Sequence, residues 1–413
     1  MTPAPSSDAG RTPAPDPDAF AVAGVLRDAA ALGRAHDVDV RPRSDALLAF
    51  VTGKAGAFAV VDVSRPRAPR LLSSVVTGIE NGETVLPLGD VCLVGSSHLH
   101  AVDVRDPRHP VVTARLTDAS ISSINGMVRW GAEGRFAVAA SKRGYVNVFD
   151  LADPFHPTLF TAYPARAREV LVSPHDVALL DGERIVVVDQ RGGAPRKLAV
   201  LRIASPGAGR PLPADRWTVE GTLAGEALDG ANRVAVSGPA SGSASGSASG
   251  PVALVAGNKS DRLAAVDLRD AARPALVTDL ACADVDPCGI CLAGGVLFVA
   301  AGQTLEALDV TDARRPRSLA WCRPLDVFPT RLGPRGGPPA GARGNPDSGG
   351  GADRRTGRDG GSVLGSNAHD LAYRDGYLYV TAQNDDALGV LEVRDPRITA
   401  LARAFRGRGD ERE

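Results

Sequence analysis

The chain has 413 residues, 44% of them hydrophobic and 23% charged, which suits a globular protein of two or three ordinary domains or one repeat architecture with a continuous core. A formal net charge of -1 supplies no overall pull toward nucleic acid or an anionic membrane, and no stretch approaches the roughly 18 uninterrupted apolar residues of a membrane span. Aromatic residues are only 4% of the chain, so Ala and Val must supply most of the packing.

The first residues, "MTPAPSSDAGRTPAPDPDAF", carry neither a basic nor an apolar export segment, and a cytoplasmic location is the expectation. Residues 1–19 are expected to be a disordered tail, and "AFAVAGVLR" from Ala19 reads as an outer strand. Beyond it the phrase "VVDVSRPRAP" at 60–69 returns as "AVDVRDPRHP", "VFDLADPFHP", "AVDLRDAARP" and "ALDVTDARRP". Aligning the apolar-Asp-apolar centres gives Asp62, Asp103, Asp150, Asp267 and Asp309, and two looser copies are centred on Arg202 and Glu392. The underlying period, once low-complexity inserts are set aside, is a little over about 40 residues, and each unit reads as four short strands separated by turn residues.

Such a unit, repeated seven times, predicts an all-β, seven-bladed β-propeller of four-stranded antiparallel blades spanning residues 20–405. The phrase itself is read as the corner between third and outer strands: its Asp accepts backbone N–H bonds, and Pro66 and Pro69 fix φ through the turn. Gly/Ser-rich residues 238–250 are expected as a disordered hairpin tip within the fifth blade, and residues 331–362 as a disordered insert or mobile flap between blades six and seven. "ITALARAF" from Ile398 reads as an outer strand of blade seven, which leaves it competing with residues 19–27 to close the ring, and residues 406–413 form a charged tail.

The phrases "VDVSRPRAP" and "VDVRDPRHP", with "AHDLAYRDGYLYVTAQ" upstream of the last copy, resemble the LVIVD-repeat β-propellers. The resemblance runs from about residue 36 to residue 397, with Arg202 and Glu392 replacing the repeated Asp in two copies. It implies a fold more than an activity, because the family has no single established one.

Lining up the starts of the inner strands gives His36-Asp37, Asn81-Gly82, Asn125-Gly126, His175-Asp176, Asn232-Arg233, Cys288-Gly289 and His369-Asp370. Equivalent positions in a propeller converge on the central channel, so His36, Asn81, Asn125, His175, Asn232, Cys288 and His369 are the expected ligand-binding ring. Imidazole and thiolate donors suit zinc or copper, making His36, His175, His369 and Cys288 candidates for a divalent metal, although His175 lies three blades from His36. The same three histidines are the candidate acid-base groups. A His and the Asp that follows it on a strand point to opposite faces, so "HD" is not read as a dyad. The competing structural reading is that these side chains satisfy backbone groups at crowded strand starts.

The turns "GNKSD" at 257–261 and "QNDDA" at 383–387 are expected at the same mouth, whereas His98, His100, His109 and His156 are expected in outer strands or turns at the solvated surface. Five cysteines at irregular spacing do not make a disulfide framework, and Cys288-Gly-Ile-Cys291 reads as a pair of buried structural thiols. The sequence therefore predicts a monomeric binding module with a polar axial site for a small polar molecule or a protein partner, and no nucleic acid or membrane. The alternatives are an enzyme (hydrolase, lyase or metal-dependent oxidoreductase) using the axial histidines, and an interaction scaffold with an inert channel.

Overall fold

The computed structural model describes residues 16, 18–43, 46–76, 78–191, 196–203, 217–238, 250–323 and 368–403. Residues 239–249 of the insert expected at 238–250, the insert expected at 331–362, most of the N-terminal tail and the C-terminal tail lie outside them.

Seven four-stranded antiparallel sheets follow one another as blades of a propeller. Blade one runs through residues 35–75, blade two 84–116, blade three 124–163, blade four 174–223, blade five 231–281 and blade six 287–322. Blade seven takes its three inner strands from residues 368–393 and its outer strand from the other end of the chain, Phe20–Arg27. That strand pairs with Ala387–Val393 and closes the ring. The C-terminal segment consequently has no free sheet edge. Pro396–Arg403 is an α-helix, correcting the expected strand: Asp395 caps it by accepting from Arg397 N at 2.7 Å, Pro396 sits in the first turn, and Ile398 and Ala402 point inward one turn apart.

Each blade alone would leave two apolar faces in water. The core accordingly divides into clusters between adjacent blades: Val60 and Val94 meet between blades one and two, for example, and Tyr379 joins Val51 between seven and one. The other neighbouring pairs are filled in the same way.

The repeated phrase makes the corner expected of it. Asp62, Asp103, Asp150, Asp267 and Asp309 each accept the backbone N–H two residues on, at 2.9–3.1 Å. The corner is also a contact with the preceding blade. Ser73 Oγ donates to Pro107 O and Thr113 Oγ to Phe155 O, while a Cβ on Gly24 or Gly221 would come within 2.5 Å of Pro66 O or 2.3 Å of Ala271 O. Outer strands therefore need small or hydroxyl side chains where the next corner touches them.

Candidate functional site

In six blades the register between inner and second strands slips by one residue at the start. The extra residue is His36, Asn125, His175, Asn232, Cys288 or His369, in each case the position expected on the axis. A bulge re-aims a side chain, and here it does so around the ring. All six residues are buried.

Blade two differs. Its inner strand, Thr84–Pro87, pairs without a slip, and Asn81 lies outside it with φ of 53°. A hydrogen-bond relay shows which residue takes the rim position. His369 Nδ1 donates to His36 O at 2.9 Å, His36 Nδ1 to Glu83 O at 2.7 Å, His175 Nδ1 to Asn232 O at 2.8 Å, and Asn232 Nδ2 to Cys288 O at 2.9 Å. In these four blades the rim side chain reaches the rim carbonyl of the next, and the carbonyl that His36 reaches in blade two is that of Glu83. Asn81 instead supports it, Nδ2 donating to Glu83 Oε1 at 2.8 Å.

Glu83 is the polar hub that the sequence did not disclose. Only 2% exposed, it accepts from Asn125 Nδ2 at 2.7 Å and Ser123 Oγ at 3.4 Å, and pairs with Lys54 Nζ at 3.3 Å. Burial works against its charge, but Lys142, Lys54 and the Asn81 amide together hold the carboxyl below its ordinary range. His36 Nε2 lies 3.3 Å from Glu83 Oε2, and the His36 and His369 rings meet at a tilt of 39° with centroids 3.7 Å apart.

The axial imidazoles are neutral at pH 7. Burial, His369 and Lys54 push His36 well below 6.5; burial, Lys142 and Arg233 do the same to His175; and burial with Arg233 takes His369 to about 3. With Nδ1 donating to a carbonyl, each carries its lone pair on Nε2. Among the described residues, Nε2 of His175 and of His369 has no hydrogen-bonding partner, and Asn125 Oδ1 is buried without one.

Directly after the rim, Asp37 Oδ2 accepts from Val85 N at 2.8 Å and Asp176 Oδ2 from Val234 N at 2.9 Å. The pairs His36-Asp37 and His175-Asp176 thus each fasten two backbone groups of the next blade, the His to a carbonyl and the Asp to an N–H. Each is a staple between blades. Blade five places Arg233 at this level, where Nη2 pairs with Asp370 Oδ2 of blade seven at 2.8 Å and Nη1 donates to Asn125 O of blade three at 3.1 Å. A side chain that reaches two blades away in both directions crosses the axis, so Arg233 floors the mouth. Burial raises the carboxyl of Asp176 to about 6, and burial with the neighbouring Asp37 raises Asp370 well above its ordinary range.

Among the described residues no three His, Cys, Asp or Glu side chains group closely enough to hold an ion. The reason is the relay, which spreads the rim residues around the ring. Cys288 Sγ instead donates to Asp286 Oδ1 at 3.4 Å, burial holds its thiol well above 9, and all five cysteines are free.

The turns at 257–261 and 383–387 connect second to third strands and bind forward, Asp261 accepting from Asp286 N at 2.9 Å and Asp386 from Arg34 N at 2.8 Å. His109 and His156 are exposed and pair with Asp106 and Asp153 of their own corners. His100, expected at the surface, is fully buried on the third strand of blade two, Nε2 bonded to Ser96 Oγ at 3.1 Å, because third strands are covered on both faces by neighbouring blades. His98 is half-buried in the preceding turn. A groove of about 850 Å³, lined by Lys197, Glu226, Asp229, Lys259, Arg262 and Asp279, lies over blades four and five.

No helix among the described residues is long and apolar enough to cross a membrane. A comparison with curated proteins gave no match. The family model for the LVIVD repeat matches residues 48–77, which cover the second, third and outer strands of blade one. The chain thus carries one stretch similar to the LVIVD repeat within a ring of seven four-stranded blades, a seven-bladed β-propeller.

Proposed function

We propose that this propeller is a binding module whose ligand is a small polar molecule held at the mouth of the central channel. The observation that carries the reading is the set of acceptors left open there: His175 Nε2, His369 Nε2 and Asn125 Oδ1, buried side chains without protein partners above a floor made by Arg233. A buried acceptor without a donor, as Asn125 Oδ1 is, costs about 1–3 kcal/mol, so a ligand that donates to it gains that back on binding. The neutral imidazoles present Nε2 lone pairs that accept from hydroxyl or amide donors.

An interaction scaffold would call for a continuous apolar face. Among the described residues the exposed large apolar side chains, Val76, Val111, Val219, Leu276, Val277 and Val285, are instead spread over the outer strands and following loops of blades one, two, four and five. The test is thermal stabilisation of the full chain by a panel of small polyols, hydroxy acids and amides, run beside an Asn125→Ala/His175→Gln variant. Stabilisation in the wild type that disappears in a folded variant supports the site; equal responses in both place the binding elsewhere.

A further inference from the structure

Lysine is used in this chain in an unusual way. Of 47 Lys and Arg residues only four are lysine: Lys54, Lys142, Lys197 and Lys259. All four stand in turns from second to third strand, in blades one, three, four and five, where each turn shares the mouth face. Everywhere else, including the buried pair with Asp370, the chain uses Arg. Arg is the better fork for holding carboxylates and phosphates, so anion binding alone does not explain the choice. What a lysine offers and an arginine does not is an amine that gives up its proton near neutral pH and becomes a nucleophile.

The four are not equivalent. Lys54 is paired with Glu83 at 3.3 Å, Lys197 with Asp229 at 2.6 Å, and Lys259 is exposed. Lys142 is half-buried, and among the described residues its ammonium has no hydrogen bond or ion pair. Its backbone N–H donates to Ser123 O at 3.3 Å, which sets the turn against the loop leading to Asn125. The charged and titratable groups facing the ammonium are Glu83, Lys54, His175 and Arg233.

We propose that Lys142 is a reactive amine that captures a small hydroxylated aldehyde or ketone at the mouth as an imine, an assignment that rests on the mouth being a ligand site. Nζ adds to the carbonyl carbon, the C=O π pair becomes a hydroxyl, and loss of that hydroxyl as water forms C=N. One amine and one carbonyl give one imine and one water, without an oxidant or reductant. The hydroxyls of such a ligand are the donors that His175 Nε2, His369 Nε2 and Asn125 Oδ1 call for. Burial, together with Lys54 and Arg233, outweighs Glu83 and lowers Lys142 to about 8, which leaves about a tenth of the amine neutral at pH 7.

The experiment is reductive trapping of the full chain with glycolaldehyde and sodium cyanoborohydride, read by peptide mass mapping of the four lysines. Lys142 should label at least about tenfold faster than exposed Lys259, with a half-maximal rate near pH 8, and faster with glycolaldehyde than with propanal. Lys142→Arg should fold, lose that label and leave the other three unchanged. Labelling of Lys142 no faster than Lys259 overturns the amine, and the ligand-stabilisation test then still judges the mouth by itself. Fast labelling in a chain that no polar ligand stabilises upholds the amine and counts against the pocket. Equal rates with propanal overturn the hydroxylated class.

Discussion

Arg233 of blade five and Asp370 of blade seven form a buried ion pair across the channel axis, 2.8 Å from Nη2 to Oδ2. The same guanidinium faces Asp37 and Asp176, and these carboxyls raise Arg233 further although burial opposes its charge. One cation therefore compensates three acids from three blades, and it closes the floor of the mouth with the same atoms.

Removing that cation should be costly. Arg233→Met leaves the acids buried without a counter-charge, a change of the kind that destabilises by about 3–5 kcal/mol. Denaturant unfolding should show the loss, and Arg233→Met/Asp370→Leu should recover part of it. A single variant as stable as wild type would mean that water, not protein, satisfies the axial acids.

Ring closure depends on Gly24. A Cβ there would sit 2.5 Å from Pro66 O and 2.7 Å from Pro69 Cδ, so Gly24→Val must push the closing strand off the corner of blade one. A loss of about 1–3 kcal/mol is expected, with amide exchange rising first along 20–27 and 387–393. Unchanged protection of those two segments would contradict the closure.

Acid should weaken the fold. The folded pKa values of His36, His175 and His369 lie below the unfolded value near 6.5, as does that of His100, at about 4. Below pH 6.5 the unfolded chain takes up protons that the folded chain refuses, so stability present above that pH is lost as it falls. Asp176, at about 6 when folded, and Asp370 work in the opposite sense, contributing stability in acid that is lost as pH rises through their folded values. The histidines outnumber them, and a net loss on the order of 2 kcal/mol between pH 6.5 and 5 is expected in denaturant titrations. His175→Gln should flatten that slope by about one proton, or about 1.4 kcal/mol per pH unit. A slope unchanged by the substitution would show that His175 titrates when folded.

What the sequence disclosed follows the range of the interactions involved. The repeated Asp was legible because it bonds two residues away, as Asp103 does with Arg105, and such a turn is written locally. The axial residues of six blades were legible because each stands second in its inner strand, in a recurring polar dipeptide. Glu83 was missed because blade two lacks the bulge, so alignment on "NG" placed the rim two residues early. The short run Thr84–Pro87 directly after Glu83 was the available signal. His100 alternates with buried Val102 in "LHAVD", a pattern that places both inside once third strands are known to be covered on both faces. The closing strand could not be read, because Phe20 meets Val393 across nearly the whole chain and "ITALARAF" alone suits either helix or strand.

The central claim is that the mouth holds a ligand. The most direct measurement is isothermal titration of the full chain with the strongest stabiliser from the polar panel, beside Asn125→Ala/His175→Gln at matched folding. Stoichiometric binding of one ligand per chain, weakened at least about tenfold in the variant, is the predicted result. Equal affinity in both proteins would contradict it.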